Sequence, residues 1–448
     1  MQEIMFSNSI SHAAPSAVRS KSFRIISHHE AMRHLLTSMA GKSLPEHAQA
    51  ELRAIVSHWL QSPEGDPLFL GKKMGKDWRT QLAAYADFSW ESVTNSRSRK
   101  KSRNSNLIID CSAIPFPPVE KPKFTFIDLF AGIGGFRIAL QSLGGKCKFS
   151  SEWDRPAQRT YEKNFGETPF GDIRGFTGGA VSNSQIDRLI PDHHVLAAGF
   201  PCQPFSKAGV SARKALGYKH GFSCEIQGTL FFDVVRIAKV KQPQVLLLEN
   251  VKHLRGHDGG RTFQKIKETI EKDLKYSFHY DILDASTLVP QRRQRCYIIC
   301  FRRDLARVSD FSFPLLMGSP RALDEILLKE PAPRYTISDR LWAGHQNRTA
   351  RNLKRGAGFT AFLADPGKPA NTLVARYYKD GKECLVPQSG GRNPRKLTPR
   401  ECARLQGFPE EFILGNSDTQ AYRQFGNSVA IPVVRKIAEE IVKQLKEE

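Results

Sequence analysis

From Phe124 onward, short apolar runs alternate with amphipathic ones. FTFIDLF, KCKFSSEW, HHVLAAGF, PQVLLLENV, FHYDILDA and RCYIICFR are short and largely apolar, several bounded by Gly or Pro, as strands covered on both faces should be. Between them, RPAQRTYEKNF, TLFFDVVRIAKVK and TFQKIKETIEKDL carry helical spacing, and in the last Phe263, Ile266, Ile270 and Leu274 share a face. Sustained over residues 123–305, this alternation predicts an α/β fold: a doubly wound sheet with ligands at the carboxyl ends of its strands. The rhythm fails over residues 306–394, where Pro, Gly, Arg and aromatics mix without a period, so a smaller irregular domain is expected there. Regular structure resumes in 395–448, ending in a helix from about Ile431 with Val434, Ile437, Ile441 and Leu445 at helical spacing. Residues 1–122 differ again. A helical stretch over 45–61, with Leu52, Ile55, Val56 and Leu60, precedes a basic, Ser-rich run at 96–106 that reads as a solvated linker or a phosphate-following arm.

Charge changes the picture more than composition does. With 40% hydrophobic and 25% charged residues the chain is ordinary, but a net charge of +22 suits a polyanion, nucleic acid first and an anionic membrane surface second. No apolar stretch approaches the ~20 residues of a spanning helix, and the start lacks a signal-peptide core, so a cytoplasmic protein is expected. The cysteines are scattered singly without a CxxC pair, which argues against zinc and for free thiols. Cys296 and Cys300, evenly spaced in a strand-like run, read as core residues on one face.

Chemistry-bearing residues fall at the predicted strand ends. Gly132, Gly134 and Gly135 form a turn between a strand and a helix start, where backbone N–H groups face a ligand. The turn departs from GxGxxG because Arg137 holds the third position, which disfavours a dinucleotide but leaves a nucleoside ligand. Glu152, at the next strand end, is placed to accept ribose hydroxyls, with Trp153 offering a face to adenine and Asp172 an acceptor for its amino group. Cys202 sits between Pro201 and Pro204 in GFPCQPFS, and Glu249 follows VLLL; burying that carboxylate is costly unless it is paired or protonated, so its pKa should rise. Gln291, Arg293 and Arg295 alternate in QRRQR and share a face of an extended segment.

The ordered series DLFAGIGGFRIAL, SSEWD, GDI, GFPCQPFS, GTLFFDVVRI, ENVKHL, QRRQR, RKLTPRECARLQGFP and YRQFGNSV resembles the motif series of the DNA (cytosine-5)-methyltransferase family. Two longer stretches, GVSARKALGYKHGFSCEIQGTLFFDVVRI and LVARYYKDGKECLV, are similar to its bacterial Dcm type. The resemblance implies a Rossmann-like, S-adenosylmethionine-dependent catalytic domain at 123–305, a target-recognition domain at 306–394 and a return of the chain to the catalytic domain at 395–448; residues 1–122 resemble nothing transferable. It implies S-adenosylmethionine held by Phe130, Gly132, Ile133, Gly134, Glu152, Trp153, Asp172, Ile173, Asn427 and Val429. Cys202 becomes the nucleophile, Glu249 the residue engaging the target cytosine, and Arg293 and Arg295 its supports. Phe200, Pro201, Gln203, Ser206, Gln291, Arg376, Tyr377 and Lys379 are expected at the target base or DNA. The implied partner is duplex DNA, bound by a monomer at the inner cytosine of CC(A/T)GG, with a restriction endonuclease cognate to that site as a further partner. Alternatives are a CCNGG or CCGG site, an RNA cytosine-5 methyltransferase, or a DNA-binding regulator using the amino-terminal region.

Overall fold

The structure, a computed structural model, describes residues 23–44, 46–62, 70–94, 106–201, 230–305, 311–356 and 360–445. Cys202, Gln203, Ser206 and all of the basic run except Asn106 lie outside the described residues. The amino-terminal unit contains β1 (Phe23–Ser27), α1 (His28–Met39), α2 (Glu46–Ala50), α3 (Leu52–Leu60), α4 (Gly71–Thr94) and β2 (Asn106–Asp110), with β1 and β2 paired in parallel. The single helical stretch expected over 45–61 is broken at Glu51, whose φ of −104° and ψ of 8° leave the helical region.

The central region runs β3 (Phe124–Leu129), α5 (Gly135–Gln141), β4 (Gly145–Ser151), α6 (Arg155–Phe165), α7 (Arg174–Thr177), α8 (Asn183–Leu189), β5 (Val195–Ala198), α9 (Leu230–Lys241), β6 (Val245–Val251), α10 (Arg261–Glu268), β7 (His279–Asp284) and β8 (Gln294–Phe301). Its six strands lie in the order β4-β3-β5-β6-β8-β7. The first four are parallel, whereas β8 runs antiparallel to both β6 and β7, so one edge of the sheet is mixed. The cause is length. Residues 285–293 hold only a single 3-10 turn, and so short a connection makes a hairpin, not a crossover.

Period-two alternation sorts the strand side chains between two apolar layers. Phe126, Val195, Ala197, Val245, Leu247 and Ile299 face α5, α6 and the carboxyl-terminal helix. Ile127, Leu129, Leu196, Leu246, Cys296 and Cys300 face α9, α10 and the amino-terminal unit, whose Leu35, Ile55, Val56, Trp59 and Trp78 complete that layer. Thus the amino-terminal unit covers one face of the sheet. The helix read over 262–274 is α-helical only to Glu268, and Thr269–Asp273 forms a π turn that keeps Ile270 and Leu274 buried.

The remaining elements are α11 (Asp339–Lys354), α12 (Tyr377–Asp380), β9 (Leu385–Val386), β10 (Arg395–Lys396), α13 (Pro399–Leu405), α14 (Asp418–Asn427) and α15 (Ile431–Val442). β9 pairs antiparallel with β10, and α15 packs against α5. Leu445 lies beyond the end of α15 yet still packs on the core. α11 appears where no sustained pattern was expected, because His345 is its one buried residue and Leu341, Trp342 and Leu353 make no continuous apolar stripe. Both Glu401 oxygens accept from the Arg395 guanidinium at 2.8 Å, and they also take the N–H groups of Leu328 and Thr398. This buried fork ties β10 to α13. Breaking it by Glu401→Ala strands a buried cation, and denaturant unfolding should show a loss of about 3–5 kcal/mol. Arg395→Met/Glu401→Met should lose less; an equal loss would contradict this account.

Candidate active site

Four neighbouring parallel strands deliver their carboxyl ends to one crevice. At the end of β3, Phe130 takes a φ of +58°, uncommon for a bulky residue and a mark of local strain. Gly134, at φ +87°, is the N-cap of α5; a Cβ there would stand 2.3 Å from the Phe165 ring, so glycine is needed for both conformation and space. Ile133 and Ile173 are buried in the two apolar layers. Glu152, just past β4, reaches back to hold the turn: Oε2 accepts the N–H of Gly132 at 2.8 Å and Oε1 that of Asp154 at 2.7 Å. Burial pushes its pKa up while these amides oppose the shift.

Beneath the turn, Asp128 is fully buried, and neither carboxylate oxygen has a hydrogen-bond partner among the described residues. Burial pushes its pKa up to about 8 against the opposing charge of Arg137.

The rim of the turn fits a nucleoside. A Cβ on Gly132 would meet nothing within 4 Å, so the space over the turn is open. Trp153, next to Glu152, is 75% exposed. The Asp172 carboxylate accepts from Arg174 Nε at 3.0 Å through each oxygen, and this bond outweighs the upward push of partial burial and holds its pKa below the ordinary range. Each Glu152 oxygen keeps a lone pair for a ribose hydroxyl beyond the amide it already accepts.

At the end of β5 the chain passes through Gly199, Phe200 and Pro201, the last described residue before Cys202. Asn250 Nδ2 donates to the Phe200 carbonyl at 3.2 Å, anchoring this approach. Sequence reading passed over Asn250; the available signal was a polar residue inside the buried run VLLLENV. Glu249, beside it on β6, pairs with Arg295 at 3.0 Å, and its Oε2 lies 3.7 Å from where a Cβ on Gly199 would stand. Burial pushes the Glu249 pKa up, with Arg295 and then Arg293 opposing.

The two arginines have different partners. Arg295 holds Glu249 directly, whereas Arg293, 2% exposed, donates to the carbonyls of Leu373, Gly426 and Ser428. Val429 packs where a Cβ on Gly135 would be 2.8 Å from its Cγ2, while Asn427 is exposed at the end of α14.

Three residues expected at DNA are instead interior. Gln291 accepts from the Leu373 N–H at 2.8 Å and donates to the Leu405 carbonyl at 3.1 Å. The Tyr377 hydroxyl donates to the Cys384 carbonyl at 2.6 Å and accepts from the Leu397 N–H at 2.8 Å. The Phe200 ring packs on Phe231 with centroids 5.7 Å apart. The two polar side chains are consumed by loop backbone and by the carbonyl at the end of α13, groups that need a partner when buried. Arg376 and Lys379, flanking Tyr377, are exposed.

The six-stranded sheet with helices on both faces is of the α/β class, consistent with a Rossmann-like methyltransferase. The chain matches the family C-5 cytosine-specific DNA methylase over residues 124–443 and belongs to it. It is 48% identical to the type II methyltransferase M.SsoII of Shigella sonnei, over 81% of this chain and 92% of that protein. It is 40% identical to the DNA-cytosine methyltransferase of Escherichia coli K12, over 75% of this chain and 81% of that one. Its fold resembles the Entamoeba histolytica methyltransferase EhMeth, with a TM-score of 0.56 and 21% identity, over 72% of this chain and 99% of that one. The chain is therefore a DNA cytosine-5 methyltransferase, and S-adenosylmethionine is its methyl donor. Among the described residues no helix is long and apolar enough to cross a membrane.

Asp128 carries a sign for stability. Between about pH 4 and pH 8 the unfolded chain has released this proton while the native state retains it, so stability falls as pH rises through that window. Melting temperatures from pH 5 to pH 8 should therefore decline less steeply in Asp128→Asn than in the wild type. Parallel declines would contradict the assignment.

Proposed function

We propose that this enzyme methylates C5 of a cytosine flipped out of duplex DNA through a covalent adduct of Cys202, at the inner cytosine of CC(A/T)GG. Glu249 carries the reading: a carboxylate on a strand end, only 12% exposed, oriented by Arg295 and facing the chain three residues before Cys202.

C5 of cytosine is too weak a nucleophile to attack alkyl carbon unaided. Addition of the Cys202 thiolate at C6 moves an electron pair into the ring, and Glu249, whose pKa burial raises, donates a proton at N3 as that charge develops. The ring becomes an enamine with a nucleophilic C5. When bound over the glycine turn, S-adenosylmethionine supplies an electrophilic sulfonium methyl. Loss of the C5 proton and β-elimination of Cys202 then regenerate the thiolate. Because a stacked base is out of reach, the duplex must release it at a cost of a few kcal/mol. Phe130, Gly132, Gly134, Glu152, Trp153 and Asp172 hold the donor, with Ile133, Ile173 and Val429 packed behind the turn and Asn427 at its approach.

Residues 306–394 form the target-recognition domain, with exposed Arg376 and Lys379 as base or phosphate contacts and Gln203 and Ser206 beside the flipped base. Similarity of the stretches after Cys202 and around Arg376 to the Dcm type supports CC(A/T)GG. The enzyme works as a cytoplasmic monomer, and a restriction endonuclease acting on the same site is a fitting partner, since type II methyltransferases are among its relatives.

Transfer of labelled methyl groups to duplexes carrying CC(A/T)GG, CCGG or a scrambled site, and to a tRNA, tests this. Label should enter CC(A/T)GG alone, and Cys202→Ala should cut the rate at least ~10³-fold, with Glu249→Gln losing ~10²–10⁴-fold. Transfer to tRNA alone, or an undiminished rate in Cys202→Ala, would overturn the reading.

A further inference from the structure

Residues 165–171 connect α6 to Asp172, and the amino-terminal unit satisfies their polar groups one after another. Gln61 Nε2 donates to the Phe165 carbonyl, Ser57 Oγ accepts the Thr168 N–H at 2.9 Å, and His58 Nε2 lies 2.8 Å from Glu167 Oε1. The series ends beside the donor site. Glu51 accepts the Gly171 N–H through both carboxylate oxygens, at 3.2 and 3.0 Å. On its other side the Gly171 carbonyl accepts from Ser151 Oγ at 2.6 Å, one residue before Glu152. Both peptide planes of Gly171 are therefore fixed immediately before Asp172.

Two details show that this contact is built. Glu51 breaks the helical run and precedes α3, yet its side chain makes no cap for that helix and crosses to Gly171 instead. A Cβ on Gly171 would stand 2.7 Å from Glu51 Oε1, so glycine there serves the close approach of this carboxylate. Glu51 also lies outside the span of 124–443 matched by the family.

We propose that Glu51 is a positioning residue for the methyl donor: it fixes the Gly171 peptide and thereby aims the Asp172 carboxylate at the adenine amino group. This rests on the reading of Asp172 as the adenine acceptor. The amino-terminal unit is on this account part of the donor site, acting through a backbone clamp and touching no reactant.

Calorimetric binding of S-adenosylmethionine to the full chain tests it, well below the melting temperature of each variant. Glu51→Ala should raise the Kd about tenfold, as loss of a charged hydrogen bond would. Its affinity for a cognate duplex should not change. Glu51→Gln, which keeps one acceptor oxygen, should recover most of the affinity; if Glu51→Ala does not fold, Glu51→Asp, too short to reach the amide, should show the rise. In a cycle with Asp172→Ala the two losses should be non-additive. Arg53→Ala removes the ion pair between the same helix and Glu162, and should lower the melting temperature without moving the Kd. An unchanged Kd in Asp172→Ala overturns the adenine reading and this proposal together. A weakened Asp172→Ala beside an unchanged Glu51→Ala overturns the clamp alone, as does an equal Kd rise in Arg53→Ala.

Discussion

The guanidinium of Arg293 joins the three parts that must meet for this site to exist. It lies buried just before β8, and its donors take the Leu373 carbonyl from the irregular region and the Gly426 and Ser428 carbonyls from the segment covering the glycine turn. Each of those carbonyls, buried and left unpaired, would cost about 1–3 kcal/mol. Next to it, Gln291 satisfies both Leu373 and Leu405. The QRRQR segment is thus a polar seam: Arg293 and Gln291 fix the geometry of assembly, and Arg295, two residues further, orients Glu249. A single extended stretch couples the placement of the irregular region to that of Glu249.

The donor half depends on a different logic, that of backbone amides held by carboxylates. Glu152 holds Gly132 and Asp154, and Glu51 holds Gly171. Between them runs the buried network in which Arg137 donates to Glu167, Tyr161 and Gln61. Burial pushes the Glu167 carboxyl up, but Arg137 and His58 outweigh it and hold it down at about 2. The charge that broke the dinucleotide pattern at Arg137 therefore has a structural use, linking α5 to both α6 and the amino-terminal unit.

Strand positions were legible in the sequence because the inner runs at β3, β5 and β6 are almost continuously buried, and Cys296 and Cys300 obeyed their even spacing. Strand direction at the edge was not, since it followed from the length of the 285–293 connection. α11 escaped notice because it buries only His345 and so has no apolar stripe to read. At the site, a carboxylate following VLLL led to the expectation of a raised pKa, and burial does raise that of Glu249. The partners of Gln291 and Asn250 are backbone groups distant in sequence, 82 residues away for Gln291 and Leu373 and 50 for Asn250 and Phe200, and no local pattern encodes such pairings. The amino-terminal unit was illegible for the same reason: Glu51 has meaning only beside Gly171, 120 residues later.

The central claim, that Cys202 attacks a flipped cytosine beside Glu249, is most directly tested by trapping. A duplex carrying 5-fluorocytosine at the inner position of CCAGG is incubated with the enzyme and S-adenosylmethionine, then denatured, digested and sequenced by tandem mass spectrometry. Fluorine at C5 leaves no proton to lose, so elimination stalls and the methylated nucleotide should remain on the peptide containing Cys202. An active enzyme that yields no covalent complex, or one attached through any other residue, would contradict the account.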